Sequence, residues 1–506
     1  MPFTDSLPLI PLPARVSAGD GVLELVSLGV EGHPETAALL RRDLADRFGA
    51  DAAESDAAES DAAESDAAGA AIILALEGEG APESHTIDSR GESVRITAPD
   101  AAGLFYGTRT LLQLLHRADT GWALPRLLIE DAPRFAYRGV MLDVARHFFG
   151  VDDVKTFIDR AAALKFNHLH LHLTDDQGWR IQIDSWPLLT ERAASGDSTG
   201  GAGGFFTKAD YAGIVDYATR RHITVVPEID LPGHTHAVGV AYPDLVEQPW
   251  LTEQSRADAK RLGQPDPVHG EHYAGWAVGH SSVRIHDERT YGFVTDVLTE
   301  VAEMTPGPYL HVGGDECLGT PAADFAAFFE RVTRIAAGTG KTPVAWHEAG
   351  AVQDIAEGTI GQYWGSVEPK GSHAKEAIHF VERGGALIMS PSDRTYLDMK
   401  PHADFLLGLS WAGIVPLRLA YDWEPADVVD VPESAILGVE APLWSETIET
   451  FGQSDALVYP RVTAHAEVAW SPRDAEGRTW ESYRSRLEHL APVLRESGVQ
   501  VTLPAD

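Results

Sequence analysis

The chain has 506 residues, room for about three ordinary domains, or fewer if one is an α/β barrel of ~250 residues or more. Its 40 basic and 76 acidic residues leave a formal charge of −36, which argues against nucleic acid or an anionic membrane as partner and leaves neutral sugars acceptable. The single cysteine, Cys317, excludes an internal disulfide. No basic-then-apolar leader opens the chain and no run of ~18 apolar residues marks a membrane span, so a soluble protein is expected, cytoplasmic or in mature secreted form.

Residues 1–134 read as a small α/β supporting domain. Strands are expected at 22–26, 71–76 and 93–97, the last after a turn at Ser89-Arg90-Gly91. A helix should follow, because Leu104, Phe105, Thr108, Leu111, Leu112 and Leu115 keep helical spacing and make one buried face. Within this domain Asp-Ala-Ala-Glu-Ser is repeated three times from Asp51 to Ser65, a period that fits neither helix nor strand burial, so 51–68 is expected to be a solvated acidic insertion.

From 135 onward buried strand-like runs alternate with helix-length connections. Strands are predicted at 138–145, 166–174, 222–229, 308–314, 342–347, 359–364, 385–390 and 435–443. That alternation predicts an α/β fold with a (β/α)₈ TIM barrel over 135–506, whose site lies at the C-terminal ends of its strands. Residues with chemistry follow each run: Arg146, Asp175, the span Glu228 to His234, Asp315-Glu316, Trp346-His347-Glu348, Trp364, Tyr396 with Asp398, and Trp444 with Glu446. Longer connections at 191–206, 240–286 and 399–434 are candidate rim loops, and 476–500 is a helix expected to pack outside the barrel.

The stretch Tyr309-Leu-His-Val-Gly-Gly-Asp-Glu316 reads as a short strand ended by two glycines and followed by two acids. Along a regular strand adjacent side chains face opposite ways, so Asp315 and Glu316 share a pocket only if the strand stops before them. Neighbouring acids also fit poorly with two-carboxylate glycoside hydrolysis, where the pair flanks the sugar from different segments. One acid is therefore expected to move protons while the other orients a group.

His311-Val-Gly-Gly-Asp-Glu316 resembles the signature of the family 20 glycoside hydrolases, the β-N-acetylhexosaminidases, and the chain is most similar to bacterial exo-acting members. The resemblance implies a barrel preceded by a small α/β domain, no cofactor, no metal, and N-acetylhexosamine-terminated oligosaccharides or glycoconjugates, chitooligosaccharides among them, as partners. By position it implies Glu316 as general acid/base and Asp315 as the group that holds the substrate's acetamido N–H. Tyr396 would meet the acetamido carbonyl, and Trp346, Trp364 and Trp444 would surround its methyl group. Arg146, in Asp143-Val-Ala-Arg-His-Phe148, would hold sugar hydroxyls with Asp398 and Glu446; Asp175 and His234 would stand behind Glu316 and tune its proton. Family 20 works by substrate assistance, through an oxazolinium intermediate and with retention. The negative charge of Asp315 is expected to raise the proton affinity of Glu316.

Several of these residues have plainer readings. Arg146 suits vicinal hydroxyls or a structural ion pair. His168, His170 and His172 share a strand face, as in a metal-dependent amidohydrolase, but that site needs further ligands and leaves the tryptophans unexplained; interior, hydrogen-bonded histidines are the preferred reading. Cys317, beside Glu316, reads as a small packing residue in preference to a nucleophile. A glycan-binding protein without turnover would lack an acid or an orienting group, and both are present.

Overall fold

The computed structural model describes residues 3–49, 71–261 and 263–503, and these form two compact units. The acidic insertion expected at 51–68 lies outside the described residues. Among them no helix is long and apolar enough to cross a membrane.

The first unit takes in the chain through Arg134, the short span Ala162–Lys165, and the chain from Ala466 on. Its strands are Arg15–Leu25 (β1), Val30–Gly32 (β2), Ile72–Leu76 (β3), His85–Asp88 (β4), Val94–Ala98 (β5), His116–Arg117 (β6) and Trp122–Asp131 (β7). They form one sheet in the order β1-β7-β4-β5-β3-β2, with β6 on β7. The strands β2, β3 and β5 run parallel, and β4 and β1 pair antiparallel to β7. The predicted helix is Ala101–Leu114. It starts where the Asp100 carboxylate accepts the Gly103 N–H at 2.7 Å, and it buries Leu104 and Leu111 with Ile72, Ile87 and Ile96.

The C-terminal helix, Trp480–Glu496, belongs to this unit and not to the barrel as the sequence predicts. Arg486 explains the placement: its fully buried guanidinium grips both oxygens of Glu467 at 2.6 Å and the Leu9 carbonyl at 2.6 Å. A buried ion pair of this kind is stable only if its remaining donors are also satisfied, and the Leu9 carbonyl meets that need.

The second unit, Phe135–Ala161 and Phe166–His465, is the barrel. Its strands are Tyr137–Asp143 (β8), His168–His172 (β9), Thr224–Glu228 (β12), Tyr309–His311 (β13), Thr342–Trp346 (β14), Ile360–Tyr363 (β15), Leu387–Met389 (β16) and Ile436–Leu443 (β17), with a small hairpin of Thr174–Asp175 (β10) and Gly178–Trp179 (β11) after β9. They close parallel in the order β12-β13-β14-β15-β16-β17-β8-β9. All eight predicted strands are present, several of them shorter than predicted. The fourth and seventh, Tyr309–His311 and Leu387–Met389, have three residues each, and after the seventh the helical turn Ser392–Thr395 intervenes before Tyr396 and Asp398.

The lower barrel interior is apolar, with Tyr137, Val226, Val344, Ile360 and Ile388 packed together. Above this layer the filling becomes polar, since His170, Glu228, His311, Gln362 and Glu440 are all fully buried. Register sets that layer: Glu228 pairs with His172 on one side and His311 on the other, and His172 pairs with Asp143.

Candidate active site

The strand β13 stops at His311, and Gly313 and Gly314 then take φ +70° and +114°. A side chain would not fit at either: a Cβ on Gly313 would stand 1.7 Å from Asp230 Oδ1, and one on Gly314 2.5 Å from Phe329. Asp230 in turn accepts the Gly314 N–H at 3.2 Å. The kink delivers Asp315 and Glu316 to one cavity of about 580 Å³, also lined by Arg146, Arg261, Trp276, Trp364, Tyr396, Trp411, Trp444 and Glu446. Glu316 itself sits at φ +47°, a strained conformation for a non-glycine residue of the kind that concentrates at functional sites.

Behind the acids stands His234, also at positive φ, +54°. Its Nε2 lies 3.7 Å from Asp315 Oδ2 and 3.8 Å from Glu316 Oε2, and its Nδ1 bonds Asp175 at 3.1 Å. Burial opposes a charge on Asp175, but Arg146 and His234 outweigh it and hold the carboxyl well below the usual carboxylate range. Burial likewise disfavours a charged His234, yet Asp175, Asp315 and Asp230 together hold its imidazole well above the ordinary value.

Glu316 goes the other way. Its side chain is about one-third exposed, 35 %, but it lies at a walled cavity, and loss of solvent is the main cause that lifts its carboxyl to about 7. His234 pulls it down, and Asp315 adds to the rise. The predicted effect of Asp315 is thus present but is second to desolvation.

Arg146 closes the opposite side. Its guanidinium bonds Asp175 at 2.8 Å, lies 3.6 Å from Asp143, and covers the Trp444 ring at 4.8 Å. Asp143 fixes the turn by accepting the backbone N–H groups of Ala145 and Arg146 and the N–H and O–H of Ser445. Both readings of Arg146 therefore hold: it is ion-paired and it lines the cavity. Glu446 lines it too, its carboxyl raised by burial although Arg146 opposes the rise.

Trp364, Tyr396 and Trp444 form the aromatic wall. The Trp364 N–H donates to both oxygens of Glu348, at 3.0 and 2.9 Å, and Tyr396 meets Trp444 at 6.2 Å between centroids. Trp411, half exposed on the 399–434 loop, stands edge-on to Trp364 and Tyr396.

Two predicted site residues lie behind the wall and do not line the cavity. Trp346 is fully buried; its N–H donates to Glu228 at 2.8 Å and its ring meets His311 and Trp444. Asp398 is buried with neither oxygen held by another side chain, and burial with Glu446 nearby raises its carboxyl well above the usual range. Residues the sequence leaves without a role are Glu348, which anchors Trp364, and the loop residues Arg261, Trp276 and Trp411. Nothing in a loop's spacing separates a rim tryptophan from a surface one.

Among the described residues, four sets of three carboxylate and histidine donors lie close enough to hold a cation, all near this site, among them His170 with Glu228 and His311. The two Glu228 oxygens already face His170, His172, His311 and the Trp346 N–H, which favours interior hydrogen-bonded histidines over a metal centre. The Cys317 thiol donates to the Asp315 carbonyl at 3.2 Å, and burial pushes its pKa well up, so it packs and does not attack.

Residues 135–324 and 318–473 match the family model described as glycosyl hydrolase family 20, catalytic domain, and residues 6–132 match family 20, domain 2. A Beta-N-acetylhexosaminidase of Cellulomonas fimi is 38% identical over 97% of this chain and 91% of its own length. A solved glycoside hydrolase family 20 beta-N-acetylglucosaminidase superposes with TM-score 0.88 at 47% identity, over 98% of this chain and 99% of that one. A Streptomyces plicatus beta-hexosaminidase variant, solved with its product GlcNAc, superposes at 0.87 and 40% identity, over 98% and 96%.

Proposed function

Because the chain belongs to glycosyl hydrolase family 20, we propose that it is a retaining exo-β-N-acetylhexosaminidase that releases terminal N-acetylglucosamine or N-acetylgalactosamine by substrate assistance. The observation that carries the reading is one cavity that joins a raised acid, Glu316, to an adjacent Asp315, an arginine and an aromatic wall.

In the first step Glu316 gives its proton to the departing glycosidic oxygen while the substrate's acetamido oxygen attacks the anomeric carbon from the opposite face. The carboxylate of Asp315 accepts the acetamido N–H and stabilises the positive charge that spreads over the forming oxazolinium ring. Tyr396 orients the acetamido carbonyl, and Trp364 and Trp444 press the group toward the anomeric carbon while excluding water. Arg146 and Glu446 grip the hydroxyls of the terminal sugar, which restricts cleavage to chain ends, and Asp398 supports that wall from behind. Glu316 then takes a proton from water, which opens the ring and leaves the original anomeric configuration.

The test is hydrolysis of an aryl N-acetyl-β-glucosaminide followed by proton NMR. The β-anomer of the free sugar should appear first, and a thiazoline analogue of the cyclised intermediate should inhibit. First appearance of the α-anomer, or equal rates on a glucoside without the acetamido group, would refute the mechanism.

A further inference from the structure

The three alternate histidines of β9 are only partly used by the chemistry above. His168 stacks on Tyr137 at 3.9 Å and bonds the Asn167 side chain, with no carboxylate in contact. His170 stands between Glu440 at 2.9 Å and Glu228 at 3.1 Å. His172 stands between Glu228, on Nδ1, and Asp175, on Nε2 at 2.9 Å. A continuous run of alternating acids and imidazoles thus climbs the barrel interior from Glu440 to Asp175, and from there to His234 and Glu316.

We infer that Glu228 is a positioning residue for the acid: it holds His172 as an imidazolium, and this fixes Asp175 and, through it, His234. The inference rests on the proposed role of Glu316. A neutral imidazole has one N–H, so one of its nitrogens would turn a lone pair toward a carboxylate; the doubly protonated ring donates to both Glu228 and Asp175, and Arg146 Nη1, 3.3 Å from Nε2, is the competing donor. Burial disfavours that charge and Arg146, 3.3 Å away, opposes it, but Glu228 and Asp175 outweigh both and raise the imidazole to about 9. The ring also meets Trp444 at 4.9 Å, which carries no charge, and His172 lies in register with Asp143 on β8. Glu228 itself is faced by His170 and His172 from β9, by His311 from β13 at 3.0 Å and by the Trp346 N–H from β14, with Asp230 two residues on.

The consequence is geometric. Asp175 Oδ2 takes two donors, Arg146 and His172, which sets the plane of the carboxylate. His234 Nδ1 lies 3.1 Å from both oxygens of Asp175, Oδ1 also accepts the Asp176 N–H at 2.6 Å, and the opposite nitrogen of His234 is aimed at Asp315 and Glu316. If His172 loses its second proton, a lone pair faces Asp175; the carboxylate keeps Arg146 and the Asp176 N–H but loses the His172 donor, and the aim of His234 is less firmly fixed.

Glu228→Gln keeps the size and an acceptor but removes the charge, so the His172 pKa should fall toward the ordinary imidazole range. The ratio of variant to wild-type kcat/KM should then drop about tenfold or more between pH 5 and pH 8. A constant ratio over that range, which a purely structural defect would give, overturns the inference. Should the variant not fold, nitrogen-15 NMR of the wild-type imidazoles, with His172 identified through His172→Gln, decides the matter. Both His172 nitrogens protonated at pH 7 is the expected result, and a single N–H overturns it. These signals do not depend on turnover, so full activity of Glu316→Gln on alkyl glycosides would remove the acid assignment while leaving the His172 result to stand or fall by itself.

Discussion

Replacing Glu316 by glutamine removes the transferable proton while keeping the side chain's size and one oxygen toward His234. General acid transfer contributes ~10²–10⁴ in rate, or about 2.7–5.4 kcal/mol of barrier, where the leaving group needs protonation. An alkyl or sugar aglycone needs it fully; a nitrophenolate departs almost unaided. In kcat/KM, which reports the step that expels the aglycone, the loss should therefore approach the full range on a disaccharide and shrink to ~tenfold or less on a nitrophenyl glycoside. The wild-type pH profile supplies a second check. With the Glu316 carboxyl at about 7, the acid form dominates below pH 7, so wild-type kcat/KM should fall about tenfold for each unit above it. That basic limb should vanish in the glutamine variant. Equal losses across aglycones, or a basic limb that survives in the variant, would refute Glu316 as the acid.

Three further outcomes are expected. Asp315→Ala should lower kcat on N-acetyl substrates by ~10²–10³, the usual effect of removing one transition-state stabiliser, while GlcNAc still binds to the variant by calorimetry because Arg146 and Glu446 are intact. Arg486→Ala should destabilise the first unit by about 3–5 kcal/mol, measured by urea unfolding, because it strands the fully buried Glu467 carboxylate. Overnight treatment with a chelator should leave kcat unchanged; a loss restored by a divalent cation would reinstate the metal reading of the barrel histidines.

The barrel was legible because its strands are largely buried on both faces and alternate with helix-length connections, each ended by residues with chemistry. The sheet of the first unit was only half legible. The strands β2 and β4 have three and four residues, too few to show a period, and β7 contains Pro125, which argues against a strand. The structure accommodates that proline beside an irregularity in β1 between Ala18 and Val22, where the missing N–H costs little. The final helix shows its amphipathic spacing in sequence, but which body it joins depends on the Arg486–Glu467 pair, and no local pattern announces a partner on another segment.

In the site, two residues of register separate what was foreseen from what was not. Trp364 and Trp444 each come directly after the last residue of their strands, β15 and β17, and so stand above the barrel rim where a ligand meets them. Trp346 is itself the last residue of β14 and pairs with Gln362, two residues below Trp364, and the side chain that would wall the cavity instead fills the barrel interior and donates to Glu228. Strand ends are the least certain feature of a sequence, to within a few residues, and the division between lining a pocket and supporting it turns on an offset no larger than that. Trp346 thereby joins the buried acids and imidazoles: its indole donates to Glu228, which His311, His172 and His170 hold ionised against its burial, so its place is in the support beneath the cavity.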